Sequence, residues 1–291
     1  MRILLTGANG QVGHELARSL APLGEVHGLD RATLDLADPG AVVAACRGLK
    51  PALIVNAAAY TAVDRAESEP ALAQAVNARA PGILAEEAKR LGAVLVHFST
   101  DYVFDGASRT PYLECDRTAP LNEYGRSKLD GERAIADVGC KHLVFRTTWV
   151  YGPRGRNFLL TMLSLAATRE ELRVVADQRG APTTSLFLAE ATARAIRSIP
   201  KAGIDSGIYH LSAAGETTWA GFAIAIFARA ARRPGFRAPR VIPIASAEYP
   251  TPARRPAYSV LAHGKFTAAF GFGPSSWESQ LDSCFDRLQL G

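Results

Sequence analysis

Tyr124 and Lys128 stand four residues apart in the segment 122–129. Residues i and i+4 of a helix project from the same face, so the lysine amine is expected beside the tyrosine side chain. A phenol with a pKa near ~10 is a poor proton donor at neutral pH, and a neighbouring cation lowers that pKa. The pair therefore predicts proton donation by Tyr124 to a carbonyl oxygen, with Lys128 tuning the phenol. The spacing alone also fits a surface tyrosine and lysine.

A glycine-rich turn at the start of the chain gives this pair its weight. Gly7, Gly10 and Gly13 follow an apolar strand pattern, and residues 14–23 continue with the leucine spacing of a helix. The first glycine permits a tight turn, the second lets backbone approach a pyrophosphate, and the third allows close packing of helix on strand. The phosphates would lie at the helix N-terminus. We therefore predict a carbonyl reductase that uses a nicotinamide dinucleotide.

The end of the second predicted strand bears on which dinucleotide is used. Asp30 follows this strand, and its carboxylate can accept hydrogen bonds from the adenosine ribose hydroxyls, which favours NADH. Arg31 comes next and could instead neutralise the 2′-phosphate of NADPH. The choice between NADH and NADPH stays open at this point.

Composition indicates an ordinary globular enzyme. The chain has 291 residues, of which 48% are hydrophobic and 21% charged. A net charge of +5 does not predict nucleic-acid binding, because the basic residues are scattered except for an arginine-rich stretch at 229–240. The chain starts directly with a strand, and no apolar run would span a membrane, so we expect no membrane partner and a cytoplasmic location. The four cysteines lie far apart, so we expect reduced thiols.

Strand and helix patterns alternate through about residue 150, which predicts an α/β fold with a Rossmann-type doubly wound parallel sheet. The predicted strands are 3–5, 26–29, 53–56, 94–99 and 143–147, the predicted helices are 42–49, 72–91 and 124–138, and one further strand is predicted at 207–212. We predict an NAD(P)-binding domain at 1–151 and a mainly substrate-binding, smaller C-terminal domain at 152–291, with about 181–212 returning to the sheet. Ligands bind at the carboxyl ends of such strands, where three polar segments stand at 56–60, 99–104 and 147–152.

Several longer segments resemble the extended short-chain dehydrogenase/reductases, and within them the dTDP-4-dehydrorhamnose reductases. The matching segments are 6–13, 55–64, 66–69, 99–106, 145–151 and 177–183. The resemblance covers essentially the whole chain, and the last two segments are specific to this subgroup. It implies reduction of the C4 ketone of dTDP-4-dehydro-L-rhamnose by NADPH or NADH, the last step of dTDP-L-rhamnose synthesis, with a dTDP-sugar as the substrate. A homodimer is compatible with it.

The resemblance also implies roles for individual residues. Thr100, Tyr124 and Lys128 form the implied catalytic set, in which Thr100 and Tyr124 polarise the ketone and stabilise charge on its oxygen. Ser99 is the rival hydroxyl, but side chains alternate across a strand, so only one of Ser99 and Thr100 should face the site. The implied cofactor contacts are Gly7, Gly10, Gln11, Val12, Gly13, Asp30, Asp35, Leu36, Ala59, Tyr60, Thr61, Tyr124 and Lys128. The implied substrate contacts are Thr100, Asp101, Trp149, Asn157 and Gln178.

A metal site and two other functions are also compatible with parts of the sequence. Some relatives bind Mg²⁺ through carboxylates, and Glu15 and Glu190 stand at matching positions, but two glutamates are too few to establish such a site, so no metal ligand is predicted. The alternatives are another nucleotide-sugar reductase or epimerase of the GDP-fucose synthase type, and a non-catalytic regulatory subunit of methionine adenosyltransferase. The presence of Thr100, Tyr124 and Lys128 favours an enzyme.

Overall fold

A parallel sheet organises the part of the chain that the computed structural model describes, residues 1–199 and 205–288. In chain order the strands are β1 (Arg2–Thr6), β2 (Glu25–Leu29), β3 (Leu53–Asn56), β4 (Val94–Thr100), β5 (Lys141–Thr147), β6 (Val150–Tyr151), β7 (Glu171–Val175), β8 (Arg179–Gly180), β9 (Thr183–Thr184), β10 (Gly207–His210), β11 (Thr217–Thr218) and β12 (Arg240–Ile244). Among these residues, six strands form the central sheet in the order β10-β5-β4-β3-β1-β2, all parallel. The predicted fold class is confirmed.

Helices cover both faces of this sheet. In chain order the helices of the described residues are α1 (Gln11–Leu20), α2 (Pro39–Leu49), α3 (Val63–Ala66), α4 (Pro70–Gln74), α5 (Ala80–Leu91), α6 (Glu123–Val138), α7 (Phe158–Ala166), α8 (Ser185–Arg197), α9 (Trp219–Ala230), α10 (Gly264–Phe270) and α11 (Trp277–Arg287). Alternate strand residues serve opposite faces: Ile3 and Leu5 join the core beneath α1 and α8, whereas Leu4 joins the core beneath α2 and α5. Burial on both faces explains why the strands are nearly continuous apolar runs.

A further hydrophobic core lies beyond the sheet. It draws buried side chains from α7, α9 and α11 together with residues of β7. The segment predicted to return to the sheet supplies α8, which packs in the sheet core, and β10, which pairs with β5. Within that segment, residues 200–204 lie outside the described residues, as do residues 289–291 of the predicted C-terminal domain. The division of the chain at residue 151 stays a prediction.

The single helix predicted at 72–91 is interrupted. A π-helical turn at Ala75–Arg79 separates α4 from α5. This turn carries the buried Asn77, whose side-chain amide donates to the Tyr60 carbonyl and to the Ser127 hydroxyl, each at 3.0 Å. Hydrophobic periodicity does not reveal a local widening of one turn, and π turns are frequent at functional sites. Among the described residues, every helix is too short or too polar to cross a membrane.

The helix α6 lies very close to the π turn because glycine stands at the contact. A Cβ atom added to Gly131 would meet the Asn77 carbonyl oxygen at 2.1 Å, and one added to Gly125 would meet the Tyr102 carbonyl oxygen at 2.2 Å. Both obstacles are backbone atoms, which cannot rotate away. The position of α6 against the sheet therefore depends on these two glycines.

Replacing Gly131 by alanine tests this packing. We expect Gly131→Ala to destabilise the fold by about 1–3 kcal/mol, the usual cost of forcing an extra carbon into a packed site. The matched control is Gly48→Ala, in the exposed part of α2 with no atom near the added carbon, which should stabilise by up to about 1 kcal/mol. Urea unfolding of both variants is the measurement. Equal stability of the two would contradict the packing argument.

Candidate active site

A cavity of about 700 Å³ opens at the carboxyl edge of the sheet, where β1 and β3 adjoin. The predicted site residues that line it are Gly7, Gly10, Gln11, Val12, Asp30, Asp35, Leu36, Ala59, Tyr60, Thr61, Thr100, Asp101, Tyr124, Lys128 and Trp149. The predicted site residues that do not line it are Gly13, Asn157 and Gln178. The polar segments at the ends of β3, β4 and β5 thus share one cavity, as expected for this topology.

The glycine turn forms one end of the cavity. Gly7 has φ +69°, and a Cβ atom there would meet the backbone of Ala58 at 2.8 Å. A Cβ atom on Gly13 would lie 2.0 Å from the Gly7 carbonyl oxygen, so Gly13 serves the packing of α1 on β1. Gly10 caps α1 without a side chain, which leaves the first N–H groups of the helix open toward the cavity. This geometry fits a dinucleotide pyrophosphate.

The carboxylate of Asp30 lies at the rim of the same end. It accepts hydrogen bonds from the Asn9 amide and from the backbone N–H groups of Ala32 and Thr33. The Thr33 hydroxyl and these N–H groups lower the pKa of Asp30, so the group is ionised at neutral pH. Arg31 also lines the cavity, so both of the side chains that bear on the choice between NADH and NADPH in the sequence lie here.

The segment Ala59 to Thr61 is held between α6 and the π turn. Asn77 accepts a hydrogen bond from the Tyr60 N–H at 2.8 Å and donates to the Tyr60 carbonyl at 3.0 Å. The Tyr60 hydroxyl donates to Glu69 at 2.6 Å, and the Ser127 hydroxyl donates to the Tyr124 carbonyl at 2.8 Å. Because Asn77 also donates to Ser127, the segment 59–61 is tied directly to the helix that carries Tyr124.

Tyr124 and Thr100 face each other within the cavity. Burial raises the pKa of Tyr124 to about 12, the Thr100 hydroxyl opposes this, and the charge of Asp101 adds to it. The structure differs here from the expected lowering of the phenol pKa by Lys128, because desolvation of the phenol is the larger effect and the lysine amine bonds elsewhere. Tyr124 therefore keeps its proton at neutral pH, as a proton donor must.

Asp101 joins the hydroxyls at the end of β4. Its carboxylate accepts from the Thr100 hydroxyl at 3.0 Å and from the Thr148 hydroxyl at 2.7 Å. Burial raises the pKa of Asp101 to about 6, and hydrogen bonds from Ser259, Thr148 and Thr100 oppose that rise. Ser99 donates instead to Glu132 at 2.5 Å, so the two neighbouring hydroxyls point to different partners, as strand alternation requires.

The amine of Lys128 is almost completely buried. It donates to the Phe98 carbonyl at 2.5 Å and lies 3.1 Å from Nε2 of His97. Burial lowers the pKa of Lys128 to about 7, against the opposing charge of Glu132. Sequence reasoning missed His97, although a histidine inside an apolar strand signals a buried polar partner.

Two tryptophans form the other end of the cavity. The rings of Trp149 and Trp219 are stacked with centroids 3.5 Å apart and an interplanar angle of 6°. Trp149 has φ +46°, an unusual backbone conformation for a large residue, and its ring lies against Gly180. Trp219 lines the cavity but was not predicted, because it begins α9 about seventy residues after Trp149 and no local motif marks it.

Two other predicted substrate contacts, Gln178 and Asn157, do not line the cavity but hydrogen-bond side chains that do. Gln178 accepts a hydrogen bond from the Trp219 indole at 3.2 Å. Asn157 caps α7 by accepting from the Leu160 N–H at 3.1 Å, and donates to the Gln11 side chain at 2.9 Å. The neighbouring Arg156, which was not predicted, does line the cavity.

The carboxylates weighed as magnesium ligands lie outside the cavity lining. Glu15 is buried in α1, and Glu190 on α8 lies 3.7 Å from the Arg287 guanidinium. Residues 1–199 and 205–288 contain no group of three or more histidine, cysteine, aspartate or glutamate side chains that could hold a metal ion.

Comparison with known proteins identifies the family of the chain. The family model described as RmlD substrate binding domain matches residues 1–290. The dTDP-4-dehydrorhamnose reductase of Burkholderia thailandensis is 50% identical over 295 residues, covering 99% of each chain. A crystal structure of a dTDP-4-dehydrorhamnose reductase from Clostridium acetobutylicum superposes with a TM-score of 0.93 at 38% identity, covering 100% of both chains. The Bacillus anthracis dTDP-4-dehydrorhamnose reductase in complex with NADP has a TM-score of 0.90 at 36% identity, covering 98% of both chains. The chain therefore belongs to the dTDP-4-dehydrorhamnose reductase family.

Proposed function

We propose that this chain reduces the C4 ketone of dTDP-4-dehydro-L-rhamnose to dTDP-L-rhamnose with NADPH or NADH, the last step of dTDP-L-rhamnose synthesis. The observation that carries the proposal is one cavity that joins the glycine turn to Thr100, Tyr124 and Lys128. Family membership supports the choice of substrate, because the full-length relatives are dTDP-4-dehydrorhamnose reductases.

The dinucleotide would be held at the glycine-turn end. The open N-terminus of α1 and the backbone at Gly10, Gln11 and Val12 fit its pyrophosphate, and Asp30 or Arg31 would meet the adenosine ribose. Asp35, Leu36 and the segment 59–61 line the same end. When bound, the reduced nicotinamide supplies the hydride.

The protein's own part in the reaction is to handle the ketone oxygen. Tyr124 would donate its proton to that oxygen, because its hydroxyl stays protonated at neutral pH. The Thr100 hydroxyl now donates to Asp101 and would turn to the ketone oxygen, stabilising the charge that develops there. Asp101 would still accept the hydrogen bond of Thr148. Lys128 would contact the cofactor from the floor of the cavity.

The substrate would bind at the tryptophan end. An aromatic face covers the C–H surface of a sugar ring, so Trp149 and Trp219 form a suitable wall. Arg156 also lines the cavity, and its guanidinium would pair with the diphosphate of a dTDP-sugar. Gln178 and Asn157 would act on substrate through Trp219 and Gln11. A homodimer stays a prediction.

The decisive test is NADPH oxidation with the 4-keto-6-deoxy sugar supplied on dTDP, UDP and GDP. Turnover of the dTDP form above the other two supports the proposal. A preference for GDP would favour the GDP-fucose synthase type. NADPH binding without reduction of any of the three would favour a non-catalytic binding subunit.

The role of Tyr124 predicts a large kinetic effect from a small change. Tyr124→Phe should lower kcat by ~10²-fold or more, the scale of general acid catalysis, while NADPH affinity is retained. Steady-state kinetics and a cofactor titration on the same preparation are the measurements. Tyr112→Phe removes a phenol hydroxyl that bonds Asp105 outside the cavity lining, and should leave kcat unchanged. Near-normal turnover in Tyr124→Phe would refute the assignment.

The charges at the cavity rim predict opposite shifts in cofactor preference. Asp30→Asn keeps a side-chain oxygen that can accept the turn's hydrogen bonds but removes the charge that repels a 2′-phosphate, so it should favour NADPH over NADH by several-fold. Arg31→Gln should shift the preference toward NADH. Fluorescence titration with both cofactors measures the ratio. If both variants shift the ratio in the same direction, a different group governs the choice.

Trp149 is expected to affect substrate and cofactor differently. Trp149→Ala should lose most of kcat/KM for the keto sugar, while NADPH affinity changes by less than ~3-fold. Trp149→Phe keeps an aromatic face at the same left-handed backbone position and should recover most of the activity. Equal losses of substrate turnover and cofactor affinity in Trp149→Ala would mean that the ring only supports the fold.

A further inference from the structure

Four buried polar side chains form a continuous chain that ends at the active-site amine. The Thr6 hydroxyl donates to the Asn56 carboxamide oxygen at 2.6 Å, and the Asn56 amide nitrogen lies 3.0 Å from Nδ1 of His97. His97 Nε2 lies 3.1 Å from the Lys128 amine. The side chains come from β1, β3, β4 and α6, and each residue is only 1% exposed. Burial at this level requires that every donor meet an acceptor.

The chemistry of a neutral imidazole restricts how this chain can be arranged. One ring nitrogen carries hydrogen and donates, and the other accepts. When the Asn56 amide donates to Nδ1, the hydrogen of His97 is on Nε2, which can then only donate. Its partner must therefore be a neutral Lys128 amine with a free lone pair. In this arrangement all hydrogen bonds run from Thr6 toward Lys128.

A protonated Lys128 requires the reverse arrangement. An ammonium group has three donors and no acceptor, so Nε2 of His97 must accept. The ring hydrogen then lies on Nδ1 and donates to the Asn56 carboxamide oxygen, which takes the place of the amide nitrogen. The Asn56 amide then donates to the Thr6 oxygen, and the Thr6 hydroxyl is free to point into the cavity, which Thr6 lines.

The other groups around Lys128 do not offer this adjustment. On α6, Tyr124 stays protonated and Glu132 is held by the Arg146 guanidinium of β5 at 2.7 Å. On β4, the Phe98 carbonyl accepts in either state. Burial and the charge of Lys128 hold the pKa of His97 well below its usual range, so the ring does not respond by taking up a proton. Tautomer exchange is the response that remains.

We propose that His97 is a positioning residue for Lys128: its ring exchanges tautomers, and Asn56 turns its amide, whenever the amine gains or loses a proton. The amine then keeps one position in both charge states. The proton count balances: the ring loses its hydrogen from Nε2 as it gains one on Nδ1, the amide only turns, and the extra proton of the ammonium enters from the cavity that Lys128 lines. This inference rests on the proposed function in one respect, that Lys128 acts beside Tyr124 and the cofactor.

The first test is NMR of the free protein, which needs neither cofactor nor substrate. ¹⁵N spectra of the imidazole nitrogens distinguish the two tautomers and the protonated ring, and His97→Gln identifies the His97 signals among the six histidines. As the pH falls, we expect Nε2 to change from a protonated to an unprotonated nitrogen and Nδ1 to change the other way. Both changes should occur at the pH at which the ¹³Cε signal of Lys128 titrates. Lys128→Met should abolish this pH dependence. A ring that keeps one tautomer through the Lys128 titration, or that becomes protonated there, overturns the proposal.

A second test measures the effect on the cofactor. Without the ring, the ammonium loses an acceptor, so in His97→Leu the pH at which NADPH affinity declines should fall by at least about half a unit. His97→Gln should restore the midpoint, because a side-chain amide can turn to donate or accept. A merely structural histidine would change stability and leave the midpoint in place, and that result contradicts the proposal.

These measurements separate the two proposals. Tautomer exchange in a protein that reduces none of the keto sugars would uphold the role of His97 and reject the proposed function. Reduction of the dTDP-keto sugar by a protein whose His97 ring keeps one tautomer would uphold the proposed function and reject the role of His97.

Discussion

Lys128 places an amine where water does not reach it, and this constraint governs the geometry of the active site. A buried charge is strongly unfavourable unless hydrogen-bond partners stand at fixed positions around it. The Phe98 carbonyl and His97 supply those partners from β4 and thereby hold α6 against that strand. Tyr124 lies one helical turn before Lys128 and Glu132 one turn after it, so the three form one stripe on α6. The position of the Tyr124 phenol therefore follows from the amine's need for partners.

This stripe of α6 can reach the sheet only because glycines of α6 let its backbone contact the backbone of neighbouring segments directly. Gly125 and Gly131 bring α6 against the carbonyls of Tyr102 and Asn77, and Gly13 brings α1 against Gly7 in the same way. In such backbone contacts no side chain can rotate to relieve a shift, so α1 and α6, which border the cavity, are held rigidly in place. Rigid placement suits a reaction in which hydride and proton must reach one carbonyl from fixed directions.

The two ends of the cavity are built on different principles. The glycine-turn end is formed by one short segment of strand, turn and helix, with backbone N–H groups open toward the cavity. The tryptophan end is assembled from distant segments: Trp149 follows β5, Trp219 begins α9, and Gln178 bonds Trp219 from the loop between β7 and β8. Side chains of separate elements can diverge more freely than a glycine turn, which suits an end that has to recognise one particular sugar nucleotide.

The sequence by itself determined the strand and helix alternation, the parallel sheet and the glycine turn that forms one end of the cavity, because periodicity and glycine spacing act over a few residues. It also predicted that the Ser99 and Thr100 side chains point apart, since strand alternation is a local rule, and the two hydroxyls do bond different partners. Only the tertiary structure decided the π turn at 75–79, the contact of Trp149 with Trp219, and the place of Gln178 and Asn157 behind the lining. It likewise decided that burial sets the Tyr124 pKa and that His97 is the partner of Lys128. These features depend on which groups are brought together from distant parts of the chain and on how much water they exclude, and neither quantity can be read from local spacing.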